Sequence, residues 1–120
     1  MIEITTDLPD NVVAFTAKGK VTAQDYETII IPAIEEKLKK HPKINLLYHL
    51  GEGCTGFEAA AMWDDTKVGL KHCRSWAKIA VVSDIEWIRW ATRIFSITMP
   101  GHMKVFSNDQ LAEARQWISS

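Results

Sequence analysis

A glycine-rich segment is the first part of the sequence that could bind a ligand. Residues 51–56 contain three glycines and follow a mostly apolar run that is short enough for a strand. If the segment leads from the carboxyl end of a strand into a helix, free backbone N–H groups at the helix start favour an anion, and ligands of open α/β sheets bind at this edge. We therefore predict an anion-binding loop formed by Gly53, Cys54, Thr55 and Gly56. The alternative is a tight turn without a ligand, because the segment matches neither a P-loop nor a full dinucleotide fingerprint.

A tryptophan-rich helix is the second candidate. Over residues 85–98 the apolar side chains cover about half of the helix circumference, more than packing against one sheet face requires. The side chains assigned to the core are Ile88, Ala91 and Phe95. The side chains predicted to bind a ligand or a membrane are Phe57, Trp63, Trp87, Trp90 and Ile94. Tryptophan beside arginine suits a membrane surface, where the ring lies at headgroup level. A thick core, or a dimer interface formed by the same residues, is the alternative.

Catalytic chemistry has little support in the sequence. His49 precedes the glycine-rich segment and could act as a base near neutral pH. No serine or cysteine nucleophile stands at motif spacing from it, so we expect a hydrogen-bonded structural histidine. Cys54 and Cys73 lack the spacing of a metal site. The sequence therefore predicts a protein that is not an enzyme, with no catalytic residue, no metal and no cofactor.

Composition restricts the class of protein and its partners. The chain has 120 residues, 47% apolar and 24% charged, which fits one soluble domain over residues 1–120. Its formal net charge is −1 and no long basic run is present, so nucleic acid is not an expected partner. The N-terminus lacks the pattern of a signal peptide, and no apolar run is long enough to span a membrane. We expect a cytoplasmic protein, with peripheral contact at the inner membrane as a variant of that expectation.

The order of elements is predicted from periodicity and turn signals. Strands are expected over 2–5, 12–17, 44–50, 76–82 and 103–106, and helices over 22–40, 57–73, 85–98 and 109–118. Pro32 should kink or break the first helix. The resulting order is β-β-α-β-α-β-α-β-α, which predicts an antiparallel first hairpin and a mixed, mainly parallel sheet with covering helices.

This order and several short motifs resemble a known family. The motifs are Leu8-Pro9-Asp10-Asn11-Val12-Val13, Val21-Thr22-Ala23-Gln24-Asp25-Tyr26, Ile31-Pro32-Ala33, Gly56-Phe57, Ala61-Met62-Trp63-Asp64-Asp65, Asp84-Ile85-Glu86-Trp87-Ile88 and Met99-Pro100-Gly101. Together they resemble the STAS fold of the SpoIIAA-type anti-sigma-factor antagonists, and more closely the SpoIIAA-like subgroup, over essentially the whole chain. The resemblance implies an α/β domain of STAS type.

The resemblance also implies a regulatory mode of action. In the sporulation regulators, a kinase phosphorylates a serine in an Asp-Ser-x-Gly stretch after the central strand, and this controls partner binding. The equivalent stretch here, residues 52–56, lacks the Asp-Ser pair; Thr55 is the nearest hydroxyl and Gly56 the matching glycine. A phosphate on Thr55 would lie at the predicted helix N-terminus.

Two functions follow from the sequence. The first is a non-catalytic binding module that recognises a small apolar or amphipathic ligand, a lipid surface or a protein partner through the tryptophan-rich helix and the glycine-rich segment. The alternative is a STAS-type regulatory protein that binds another protein and is switched at Thr55. A homodimer is compatible with either.

Overall fold

A five-stranded mixed sheet forms the centre of the molecule. The computed structural model describes residues 2–57, 76–98 and 102–120. The strands are β1 (Ile2–Thr5), β2 (Val12–Val21), β3 (Ile44–Phe57), β4 (Trp76–Ser83) and β5 (His102–Phe106). They lie in sequence order across the sheet; β1 is antiparallel to β2, and the other neighbouring pairs are parallel. The predicted hairpin and the mainly parallel sheet are confirmed.

The described helices flank this sheet. They are α1 (Ala23–Asp25), a π-helical turn (Tyr26–Ile30), α2 (Ile31–Lys40), α3 (Glu86–Thr98), a 3-10 turn (Asn108–Gln110) and α4 (Leu111–Ser119). The Thr22 hydroxyl accepts the Asp25 N–H and the Asp25 carboxylate accepts the Thr22 N–H, which completes the predicted helix start. Pro32 lies in the first turn of α2, directly after the π-helical turn. The expected irregularity at Pro32 therefore takes the form of a π-helical turn, which accommodates a residue that cannot donate a backbone hydrogen bond.

Each face of the sheet carries its own apolar cluster. On one face, the main contributors are Phe15, Tyr26, Ile30, Ile34, Tyr48, Ile79 and Ile88, which place the π-helical turn, α2 and α3 on that side. On the other face they are Val12, Ala14, Leu47, Val82, Phe106, Ala114 and Ile118, which place α4 there. Successive residues of a strand point to opposite faces, so the apolar runs of β2, β3 and β4 fill both clusters.

The glycine-rich segment corrects the sequence interpretation. Residues 51–57 are not a loop, because β3 continues through them to Phe57. Beyond the pair formed by Ala17 and Leu50, the parallel ladder between β2 and β3 is irregular. There Gly19 pairs with Cys54 and Val21 pairs with Phe57. The predicted strand boundaries were too short because both strands extend together, which a single segment cannot reveal. The predicted helix over 57–73 lies outside the described residues, apart from Phe57, which ends the strand rather than starting a helix.

Candidate functional site

An exposed apolar patch lies on α3. The Trp90 side chain is 67% exposed and Ile94, one turn later, is 47% exposed. Arg93 is exposed between them. Since residues three and four apart share a helix face, we call these three residues the Trp90 surface. The sequence placed Trp90 and Ile94 outside the core side of this helix, and their exposure agrees with that assignment.

The opposite side of α3 holds the helix on the sheet. Ile88 is 6% exposed and joins the cluster with Phe15 and Tyr48. Its predicted core position is confirmed. For Trp87, Ala91 and Phe95 the structure describes the backbone and not the side chain, and Trp63 lies outside the described residues.

The first turn of α3 is anchored to the end of β4. The Ser83 hydroxyl, fully buried, accepts the Ile85 N–H at 3.1 Å. The Arg89 guanidinium donates from Nη1 to the Ser83 carbonyl oxygen at 2.8 Å. A charge-assisted bond to a backbone carbonyl is stronger than a neutral one, so the start of α3 is fixed in orientation. The Trp90 surface is therefore presented by a helix whose position is set by the sheet edge.

A second contact ties this junction to the start of α4. Asp84 Oδ1 accepts the Asn108 N–H at 3.0 Å. Asn108 opens the 3-10 turn, where Ser107 and Gln110 form a capping box. The β4–α3 and β5–α4 connections thus meet at the carboxyl edge of the parallel strands, the usual ligand edge of such sheets.

His49 lies at the same edge, on the face that carries α4. It is half-buried, and burial lowers the pKa of its imidazole; the nearby Asn108 side chain has a smaller, opposite effect. The contact falls short of a formed hydrogen bond, because Asn108 Oδ1 is buried without a partner of suitable geometry among the described residues. On the other side the ring lies against Gly51, where a Cβ would come within 3.2 Å of Nε2. This packing favours the neutral imidazole.

The arrangement around His49 does not amount to a catalytic dyad in the described part of the chain. No described hydrogen bond joins its ring to a serine or a cysteine. In covalent acyl transfer a base of this kind activates an adjacent serine or cysteine, and no such pair lies among the described residues. Among the described residues there is also no group of three His, Cys, Asp or Glu side chains that could hold a metal ion.

The segment predicted to bind an anion has a different backbone context from the one expected. Gly53, Cys54, Thr55 and Gly56 lie within β3, so their N–H groups belong to an extended strand rather than to a helix start. Anion binding there, and modification of Thr55, stay predictions. In the ranges that the structure covers, no helix has the length and apolar character needed to cross a membrane.

In the described part of the chain, the sheet order, the antiparallel edge strand and the helices on both faces define an α/β domain of the STAS type. A family model described as SpoIIAA-like matches residues 12–119. The chain belongs to the SpoIIAA-like family.

A solved structure supports the same assignment. It is described as an uncharacterised protein from the DUF3478 family with a SpoIIAA-like fold, from Shewanella loihica PV-4. The two chains are 34% identical with a TM-score of 0.79, and the match covers 98% of this chain and 93% of the Shewanella chain. No curated protein matches the sequence. Domains of this family are in general binding or regulatory domains rather than enzymes.

Proposed function

We propose that this protein is a non-catalytic binding module that docks on a lipid surface through the Trp90 surface. The observation that carries the proposal is the exposure of Trp90, a residue that is 67% exposed on a helix anchored to the sheet. The side chains predicted from sequence to share this role are Phe57, Trp63 and Trp87, with residues 53–56 beside them.

The composition of the surface suits the boundary between water and lipid. A tryptophan ring is amphipathic and lies at headgroup level, isoleucine reaches towards the acyl chains, and arginine faces the phosphates. With two thirds of a ring of roughly 200 Å² available, full burial of Trp90 stabilises the bound state by about 3 kcal/mol at about 25 cal/mol per Å². One such side chain gives weak, reversible attachment, which fits a peripheral protein.

Vesicle co-sedimentation tests the proposal. The test variant is Trp90→Ala/Ile94→Gln, which leaves the net charge unchanged and introduces two residues that are compatible with a helix. The matched control is Ile4→Thr, because Ile4 is also exposed, at 50%, but lies on β1 at the opposite edge of the sheet from β5. We expect wild type and Ile4→Thr to pellet equally with vesicles and the double variant to pellet at least tenfold less. Equal pelleting of all three proteins, or no pelleting of wild type, contradicts the proposal.

A regulatory protein that binds another protein is the second candidate, and membership of the SpoIIAA-like family favours it. In that function Thr55 is the proposed modified residue. Intact-mass measurement of the protein purified from its native host tests the switch, because phosphorylation adds the mass of one phosphate and a Thr55→Ala variant abolishes it. A chain that remains unmodified across growth conditions contradicts the switch.

A further inference from the structure

A small cleft lies between α2 and the connection from β1 to β2, at the edge of the sheet remote from β5. Its volume is about 120 Å³. Its apolar lining includes the buried Val13 and the partly buried Leu8 and Ala33, and Thr5 and Thr6 also line it. Ile4, which is 50% exposed, lies at its mouth. The cleft therefore offers apolar surface on several sides and stays open to solvent.

A lysine ammonium group lies at the rim of this cleft. Lys37 lines it, and its Nζ is 3.3 Å from Asp10 Oδ1. The other oxygen of Asp10 is 2.7 Å from His41 Nε2, and this shorter contact contributes most to the lowered pKa of Asp10. Lys40 also acts on the Asp10 carboxylate through its charge.

These distances make Lys37 the cation that can change partners. The contact of Lys37 with Asp10 is longer than the contact of His41 with Asp10. Asp10 therefore keeps His41 as a partner when Lys37 turns towards a ligand. The Asp10 carboxylate then still has a partner, so the exchange avoids the cost of an unpaired charge. Lys37 lines the cleft and Lys40 acts on Asp10 through its charge, so positive charge near the rim complements an added negative charge.

We propose that the cleft binds a small aliphatic carboxylate, with its alkyl chain against Leu8, Val13 and Ala33 and its carboxylate on Lys37 Nζ. The lining combines apolar side chains with Thr5, Thr6 and the Lys37 ammonium group, and a few placed polar groups of this kind fix the orientation of a ligand in an apolar site. At about 15 Å³ as the least volume that admits one water-sized group, the cleft holds at most about eight such groups, which limits the ligand to an acid of about six carbons or fewer. The site is separate from the Trp90 surface and does not depend on the proposed function.

Methyl and amide NMR titrations test the site with two probes of equal chain length, hexanoate and 1-hexanol. We expect saturable shifts at Ile4, Leu8 and Ala33 with hexanoate. Lys37→Met removes the ammonium group and keeps the chain length, so it should weaken hexanoate binding at least tenfold and leave 1-hexanol binding unchanged. The matched control is Lys39→Met, because Lys39 is exposed on the same helix and paired with Glu36 at 3.5 Å; it should bind hexanoate as wild type does.

Further arms separate this site from the rest of the protein. Ala33→Leu fills the cleft and should block both probes, and the NMR fingerprint of each variant shows whether it is folded. Trp90→Ala/Ile94→Gln should bind hexanoate as wild type does. A loss of vesicle binding can therefore be distinguished from a loss of hexanoate binding in the cleft. Absence of saturable shifts in wild type, or unchanged hexanoate affinity in folded Lys37→Met, overturns the proposal.

Discussion

Ile88 and Trp90 lie two residues apart on α3 and face opposite environments, with exposures of 6% and 67%. The helix therefore separates the side chain that holds it on the sheet from the side chain that it presents to solvent. This separation allows stability and binding to be changed independently.

The first prediction concerns this pair. Ile88→Ala should lower the free energy of unfolding by about 2–5 kcal/mol, because it opens a cavity in the core. Trp90→Ala should change it by no more than about 0.5 kcal/mol, since an exposed ring loses few contacts and alanine suits a helix. Urea denaturation measures both values. A comparable loss in Trp90→Ala would mean that the ring packs within the folded protein.

The second prediction concerns the hydroxyl groups of Tyr26 and Tyr48. They are 3.1 Å apart, and both side chains are buried, which links the π-helical turn to β3. Tyr26→Phe and Tyr48→Phe should each cost about 0.5–1.5 kcal/mol. The double variant should cost less than the two single changes together, because the second change removes a bond that the first has already broken. Strict additivity in a double-mutant cycle contradicts a direct bond.

The third prediction is a pH dependence from His49. Because burial lowers its pKa in the folded state, the unfolded chain binds a proton first as the pH falls. The contribution of the neutral ring to the free energy of unfolding is fully present above pH about 6.5, the usual pKa of histidine. It is lost as the pH falls from there towards the folded-state pKa. His49→Gln should flatten the stability profile in this window, measured by urea denaturation at successive pH values.

The companion measurement is an NMR titration of the His49 ring. Asn108 partly offsets the effect of burial, so Asn108→Ala should lower the His49 pKa further. An unchanged or raised midpoint in Asn108→Ala would show that Asn108 does not stabilise the protonated ring.

The fourth prediction concerns Gly19 in the irregular part of β2. Its φ is +63°, and a Cβ there would meet nothing within 4 Å. Gly19→Ala should therefore cost about 1–2 kcal/mol from backbone conformation alone. Gly19→Asn should cost less, since asparagine tolerates the left-handed region. Thermal or urea denaturation measures both, and equal stability of all three proteins contradicts the conformational explanation.

Local signals in the sequence predicted much of the fold. Thr22 with Asp25 and Ser107 with Gln110 each carry a capping box within four residues, so their helix starts follow from spacing. The exposed position of Trp90 followed from the width of the apolar arc on a single helix. These features depend on neighbours in the same element.

Features that depend on distant pairing were missed. The strand over 51–57 exists because β2 and β3 extend together, whereas three glycines within six residues predicted a loop instead. The contact of Asp84 with Asn108 spans 24 residues, and His49 on β3 lies near the Asn108 side chain at the start of the 3-10 turn. The cleft beside Lys37 likewise needs β1, β2 and α2 to be packed before it exists.

Quenching of tryptophan fluorescence by brominated phospholipids tests the central claim most directly. Bromine on the acyl chains quenches a ring only when that ring enters the bilayer boundary, and the contribution of Trp90 is the difference between wild type and Trp90→Phe. We predict that this difference emission is strongly quenched on brominated vesicles and unquenched on unbrominated vesicles of the same composition. If wild type and Trp90→Phe lose the same fraction of their emission, Trp90 does not enter the lipid surface and the account is contradicted.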